Sequence, residues 1–318
     1  MRTAILTTLL LVACSAADDP PLDTGDDDGV DDPVDPDGDA DFDVSDRIES
    51  LAPAATRHVY GTTPQGQSLV YYKLAPAAPN GKRALITFGL HGFEDAWKQD
   101  GRALFSIAHE AIAYYGNDPS RLHGWTVYIV PTANPDGMRF GINNWREGSG
   151  AYGRCTSLGK DINRHVSEGT SREQRALRAL FDDIDPTIAI DVHGWYNTYY
   201  GDSTIGGYFQ RSFNAAYDGK PARYCFVSST GAMDCGATLG GVFHGTTSIG
   251  HDLFVEWAMR ERGVPAALVE YPAPDFNLNG VFDSVWDAEL GYRRMGKNTL
   301  AKLWGRTRVA LDNLFANE

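Results

Sequence analysis

The chain has 318 residues with 42 acidic and 28 basic side chains, a formal charge of -14. Fourteen of the acids are aspartates between Asp18 and Asp46, where there is no Lys, Arg or Glu, so 28 acidic side chains face 28 basic ones in the rest of the chain. That balance excludes a uniformly acidic surface, and it excludes a broadly basic nucleic-acid binder, which needs a surplus of Lys and Arg on its folded part.

Met1-Arg2-Thr3 followed by the apolar run Ala4 to Ala13 has the form of a secretory signal over residues 1–13. It is too short to span a bilayer, which takes about 20 residues. Leu11-Val12-Ala13-Cys14 resembles the lipobox of bacterial lipoproteins, which implies cleavage before Cys14, lipidation of its thiol and attachment to a membrane surface of the cell envelope. The Asp, Gly and Pro that follow bury too little apolar surface to offset their ordering entropy, so residues 14–46 are expected to be a lipidated Cys and a disordered linker. Asp35, Asp37, Asp39, Asp41 and Asp43 alternate as in some calcium-binding repeats. No stretch has the EF-hand spacing with its closing Glu, so ordered calcium is disfavoured.

Residues 47–318 have the length of one large α/β domain. Apolar, β-rich runs occur at Leu69 to Leu74, Ala84 to Leu90, Trp125 to Val130, Thr187 to Val192 and Ala266 to Tyr271, each short enough for a strand covered on both faces. Helical patterns lie between and after them: Asp100 to Tyr115, Ser171 to Ile184 with a Ser171/Gln174 capping box, and a closing helix from Gly291 to Phe315. The expected fold class is α/β, a single domain with a mixed, mostly parallel twisted sheet flanked by helices. The stretch Trp195 to Gly250, rich in Gly, Tyr and Ser, lacks periodicity and reads as loops walling a site. In an oxidising compartment Cys155, Cys225 and Cys235 allow one disulfide and one leftover thiol. A Cys225 to Cys235 bridge closes a loop of 11 residues and contributes up to ~3 kcal/mol in the loop-entropy model. Cys155 pairs almost as well with either.

Ligands of open α/β sheets gather at the carboxyl ends of strands. One run leads into His91-Gly92-Phe93-Glu94, another into His193-Gly194. Two His and a Glu make the protein half of a catalytic zinc site with one open position, although an HxxE alone is a weak signal and satisfied histidines are its bland reading. A third run ends at Glu270, an acid that needs a partner if buried, and a carboxylate beside an activated water serves as general base.

His91-Gly92-Phe93-Glu94, Asn134-Pro135-Asp136-Gly137, Trp145-Arg146, Asp161-Ile162-Asn163-Arg164, Asp191-Val192-His193-Gly194 and Leu268-Val269-Glu270-Tyr271 follow one another as in the zinc carboxypeptidase family (the M14, or funnelin, type), which the chain resembles from about residue 55 onward. The resemblance implies one zinc ion held by His91, Glu94 and His193. It implies that Glu270 activates the zinc-bound water, that Arg146 stabilises the oxyanion, that Asn163 and Arg164 clamp the substrate carboxylate, and that Asp161 orients the first zinc histidine. The family tyrosine falls by ungapped counting at Ser248, with His244 and His251 nearby, and the floor of the specificity pocket falls at Val255. Phe93 replaces an arginine of pancreatic members.

Two weaker signals are set aside. Gly148, Gly150 and Gly153 form a GxGxxG that follows no strand, so no dinucleotide site is expected. The Asp275 to Asp283 run has alternating oxygens but Trp286 at the twelfth position, which favours an Asn-Gly turn over calcium. The expected protein is thus a lipid-anchored, monomeric metallocarboxypeptidase of the envelope acting on peptides with a free C-terminal carboxylate, without a nucleic-acid partner. The alternatives are a zinc amidase, deacylase or peptidoglycan stem-peptide peptidase of the same fold, and a tethered peptide-binding module without catalysis.

Overall fold

Apolar runs whose side chains alternate between two cores need helices on both sides. The computed structural model describes residues 52–92, 101–141, 153–195, 199–215, 252–272 and 297–318, with the backbone of short strands at 224–227, 233–237, 284–287 and 292–295. The strands are β1 Ala55–Thr62, β2 Ser68–Leu74, β3 Arg83–Phe88, β4 Thr126–Val130, β5 Ile188–Trp195, β6 Tyr199–Gly201, β7 Tyr224–Val227, β8 Met233–Ala237, β9 Ala266–Pro272, β10 Ser284–Asp287 and β11 Tyr292–Met295. The helices are α1 Gly101–Asn117, α2 Pro135–Phe140, α3 Arg172–Ile184, α4 Ser203–Ala215, α5 Phe254–Arg262 and α6 Lys297–Asn317. The signal, the linker, Cys14 and the aspartate run of the sequence reading lie outside the described residues.

The main sheet has seven strands in the order β1-β2-β4-β3-β5-β9-β6. Its centre, β4-β3-β5-β9, is parallel, while β1 and β2 at one edge and β6 at the other run antiparallel to their neighbours. All five apolar runs became strands of this mixed sheet. Ala84, Ile86 and Phe88 of β3, Ile188, Ile190 and Val192 of β5, and Ala267, Val269 and Tyr271 of β9 join a core with α1, α4 and α6. Leu85, Ala189, Ala266 and Leu268, one residue out of phase, join the core beneath α3 and α5. Period-two alternation with both faces apolar is what makes such strands read as continuous hydrophobic runs.

Two expectations need correction. The closing helix starts at Lys297, and Tyr292–Met295 pairs antiparallel with Ser284–Asp287 instead, so non-local strand pairing overrides the local pattern. That hairpin also holds Trp286, the twelfth position of the weighed calcium loop; residues 273–283 lie outside the described set. The stretch after Trp195 is not all loop either. Ile205, Phe209 and Phe213 recur every fourth residue and are buried in α4, a helical signal obscured by Gly206 and Gly207. Among the described residues no helix is long and apolar enough to cross a membrane.

The Ser171 cap forms, its hydroxyl accepting from Gln174 N–H at 3.0 Å. The reciprocal half does not, because Gln174 Oε1 takes the N–H of Thr170 rather than of Ser171. One position before Gln174, Glu173 is buried, and its Oε1 has no hydrogen-bond partner among the described residues; the same holds for the hydroxyl of Tyr60 on β1. Burial pushes the Glu173 carboxyl up, with Asp136 adding to the shift and Ser171 and Arg172 opposing it. An acid with a raised folded pKa binds more protons native than unfolded, so stability falls as pH rises through the folded value. Glu173→Gln should therefore raise the melting temperature at neutral pH. The gain should shrink as pH falls toward the ordinary glutamate range, and a gain independent of pH would contradict this account.

Candidate active site

Strand register brings the site together. His193 lies within β5 and is the Cα partner of Glu270 on parallel β9, while Thr87 of β3 is the partner of Asp191. Asp191, His193 and Glu270 share the sheet face of Ala189, Ala266 and Leu268, so along β5 and β9 that face changes from apolar to ionisable toward the carboxyl end. His91 arrives three residues after β3 ends. Its ring stands edge-on to that of His193, with centroids 5.0 Å apart at 76°.

Each imidazole has its own buried carboxylate. His91 Nε2 is 2.9 Å from Asp161 Oδ1, and His193 Nε2 is 2.9 Å from Asp191 Oδ2. A carboxylate oxygen that close to a ring nitrogen requires a proton between them. Assigned from this network, Nε2 is the protonated nitrogen of both rings and Nδ1 carries the lone pair. Thr87 donates to the other oxygen of Asp191 at 2.9 Å. Asp161 is thus in contact with His91, the histidine it was expected to orient, and the equivalent contact to His193 is made by Asp191, which was not singled out from the sequence. Its signal was available, an acid two residues before a His in a strand otherwise apolar.

Asp161 also anchors Asn163. Its Oδ1 accepts from the N–H of Asn163 at 2.9 Å. Asn163 Oδ1 accepts from Phe254 N–H at 2.8 Å, the start of α5, and its Nδ2 lies 3.3 Å from His193 Nε2. Gln174 Nε2 at the start of α3 donates to the carbonyls of Ile162 and Arg164, so a helix terminus holds the loop on either side of Asn163. Arg164 Nη1 donates to Asn163 O at 2.8 Å, which fixes the guanidinium plane. Burial pulls Arg164 below its usual value and Arg154 adds to this, while Asp161, Glu270 and Glu256 oppose it. Burial alone would raise the Asp161 carboxyl. His91, Arg154 and Arg164 outweigh it and hold Asp161 well below the usual carboxylate range.

Val255, expected on the pocket floor, is buried in the first turn of α5 and belongs to the apolar cluster with Phe254 and Trp257. Its neighbour Glu256 is also buried and accepts from Leu253 N–H at 2.9 Å. Asp252 ends the segment that carries Ser248, His244 and His251. Its carboxylate takes the N–H of Ser167 at 2.8 Å and the Ser167 hydroxyl, which ties Asp252 to the loop beyond Arg164. Ser248, His244, His251, Phe93, Glu94 and Arg146 lie outside the described residues. Cys155 is fully buried and disulfide-bonded, and its partner's side chain lies outside the described residues. Cys225 and Cys235 stand on the facing strands β7 and β8; their expected pairing is not tested by the backbone alone.

Gly92 shows how tightly the loop after β3 is seated. A Cβ there would stand 2.3 Å from the carbonyl carbon of Gly137, 2.4 Å from Gly153 O and 2.4 Å from Met138 N, all backbone atoms with no soft side chain to yield. Gly92→Ala should cost on the order of 1–3 kcal/mol, as overpacking does. It should also displace His91, so zinc retention should fall with stability. A variant with wild-type melting and wild-type zinc retention would show that the loop has room.

The donor set fits a zinc ion. Two imidazoles on a tetrahedral zinc place their ring centroids about 5 Å apart, and neutral rings with Nε2 held by carboxylates present Nδ1 as ligands. Among the described residues no three His, Cys, Asp or Glu side chains converge as a ligand group, and the third expected ligand, Glu94, lies outside them.

A mixed sheet between two helical layers thus carries His91, His193 and Glu270 at its carboxyl edge. Residues 43–188, a little under half of the chain, match the family model Peptidase_M14, zinc carboxypeptidase, the family that the chain resembles. The matched segment contains His91, Glu94, Arg146, Asp161, Asn163 and Arg164; His193 and Glu270 follow it and rest on the strand register. Over 182 residues the chain is 31% identical to bacteriocin BCN5 of Clostridium perfringens, an alignment covering 50% of this chain and 19% of the bacteriocin. The chain thus spans about a fifth of that curated relative's length. Three solved structures share the fold, each covering 86% of this chain. The metallo-carboxypeptidase of Burkholderia cenocepacia is 18% identical (TM-score 0.53, 67% of that chain). The Pseudomonas aeruginosa metallo-carboxypeptidase in complex with (2-guanidinoethylmercapto)succinic acid is 16% identical (0.55, 67%), and carboxypeptidase A of Helicoverpa armigera is 14% identical (0.55, 71%).

Proposed function

We propose that the protein is a zinc-dependent carboxypeptidase that removes residues from peptides with a free C-terminal carboxylate, at the bacterial cell envelope. The observation that carries the reading is the pairing of His193 with Glu270 on adjacent parallel strands, with Asp161 tying His91 to Asn163. His91 and His193 would hold zinc through Nδ1, with Glu94 as the third ligand. A zinc ion there supplies Lewis acidity, making water a nucleophile near neutral pH and polarising a peptide carbonyl.

The chain's own residues do the rest. Glu270 receives the proton of the attacking water and passes it to the departing amine. Arg164, its plane fixed by Asn163 O, receives the terminal carboxylate through a planar guanidinium suited to a two-point contact. Asn163 supplies a second polar contact to that carboxylate, and Arg146 stabilises charge on the carbonyl oxygen. Asp161 and Asp191 keep both histidines in the ligand tautomer.

The test compares one peptide with a free and with an amidated C-terminus, alongside acyl amino acids. Release of the last residue from the free form, at least tenfold faster than from the amide, is expected. Turnover of acyl amino acids with none on dipeptides would assign the site to the deacylase branch instead. Peptide binding without hydrolysis by the zinc-loaded protein would make it a binding module. The envelope assignment rests on Leu11-Val12-Ala13-Cys14. Cys14→Ser should move the protein out of the membrane fraction of an expressing bacterium, and an unchanged distribution would remove the anchor.

A further inference from the structure

Away from the zinc ligands, two buried polar atoms without a partner lie where α3 packs on β1. Glu173, in the first turn of α3, is 1% exposed and its Oε1 is unpaired among the described residues, as is the buried hydroxyl of Tyr60 on β1. The two elements touch closely, since a Cβ on Gly61 would stand 3.0 Å from the Cβ of Ala176. The charged and titratable groups that act on Glu173 are Asp136 of α2 and Arg172 of its own helix, and Glu173 in turn adds to the upward push of burial on the Tyr60 hydroxyl. Asp136 is taken up by the hydroxyls of Thr63 at 2.6 Å and Ser157 at 2.9 Å, and Arg172 Nη1 donates to the carbonyl of Thr63 at 3.4 Å.

The next residue in the chain reaches the site. Gln174 Nε2 donates to the carbonyls of Ile162 and Arg164 at 2.9 and 2.8 Å, and its Oε1 accepts from Thr170 N–H at 2.5 Å. One helical turn thus carries a buried acid at one position and the fixing point of the Asn163-Arg164 loop at the following one, so neither moves without the other. An ionised carboxyl is strongly disfavoured in such a place, and the neutral acid suits it. The Ser171 hydroxyl, Arg172 and the N–H of Glu173 itself favour the carboxylate, but burial and Asp136 outweigh them.

We propose that Glu173 is a proton-linked latch on the substrate site: protonated, it stays packed against β1 and keeps Gln174 on the loop of Asn163 and Arg164, and on losing its proton it leaves, so that the loop loosens and free-carboxylate peptides bind more weakly. This rests on the zinc carboxypeptidase reading. The sign follows from linkage. The acid is held above its ordinary value in the closed turn and regains that value once exposed. Opening is therefore opposed at low pH, grows easier as pH rises through the closed-state value, and then levels off.

The test compares the full-length, zinc-loaded wild type with Glu173→Gln, an uncharged mimic of the protonated acid. KM and kcat for a free-carboxylate peptide are measured from the ordinary glutamate range to mildly alkaline pH, and amide exchange over residues 161–177 is followed by mass spectrometry without substrate. Ratios of wild type to variant cancel the titrations that both proteins share. The KM ratio should start near unity and rise about threefold or more toward alkaline pH, with kcat changed less and exchange in the wild type faster by a similar factor. Gln174→Leu, which cuts the connection, should raise KM at every pH and make Glu173→Gln silent on KM. Glu173→Met replaces the glutamine variant if that one does not fold. A KM ratio that stays flat across the range would overturn the proposal. So would a pH-dependent ratio that persists in the Gln174→Leu background, which would give Glu173 another route to the site. If no peptide is hydrolysed at all, the carboxypeptidase reading falls, and exchange alone decides the latch: faster in the wild type at alkaline pH keeps it, equal in both proteins removes it.

Discussion

Glu270→Gln is expected to leave a protein that folds, retains zinc and binds peptide, but hydrolyses it about a hundredfold to ten-thousandfold more slowly, the span that a positioned general base contributes. The substitution keeps the size and the hydrogen-bonding character of the side chain and removes its capacity to take a proton. Glu270 stands opposite His193 in the parallel register, so the variant leaves the backbone of the site in place. Chelator competition and peptide binding at saturating zinc, measured beside kcat, separate lost chemistry from lost structure. A glutamine variant with kcat within fivefold of wild type would remove Glu270 from the reaction and favour a site that binds without catalysis.

Asp191→Asn should have the second-largest effect, and of a different kind. Asp191 is fully buried, taking the Thr87 hydroxyl on one oxygen and His193 Nε2 on the other. An asparagine that keeps the Thr87 bond turns its NH2 toward His193 Nε2. Two donors then face each other, and the ring relieves the conflict by moving its proton to Nδ1, the nitrogen needed for zinc. Zinc affinity should fall about tenfold to a hundredfold, in line with the loss of other supporting carboxylates. Stability of the metal-free protein should fall by roughly 1–3 kcal/mol for the buried donor left unsatisfied. Excess zinc should restore most of kcat, whereas no amount restores it to Glu270→Gln. A chelator titration and a urea melt of the metal-free variant check the two halves. Unchanged zinc affinity would mean that His193 binds through its other nitrogen or not at all.

The parts of this molecule that could be read from its sequence are those where one physical cause dominates. β2, β3, β4, β5 and β9 were legible because strands covered on both faces are continuously apolar, and His91, His193 and Glu270 were legible because titratable groups close such runs. Asp191 was hidden by the same rule, since it lies inside a run taken whole as a strand. β7, β8, β10 and β11 are four or five residues long, and their pairing is a tertiary outcome rather than a local preference. Gln174 has the spacing of half a capping box, yet its side chain holds the loop on either side of Asn163, a use that depends on where the loop passes.

The most direct test of the central claim is a titration of metal-free protein with zinc while following release of the C-terminal residue from a peptide with a free carboxylate. Activity should rise linearly and level off at one zinc per chain. Hydrolysis that does not depend on zinc, or its absence at full zinc loading, would contradict the account.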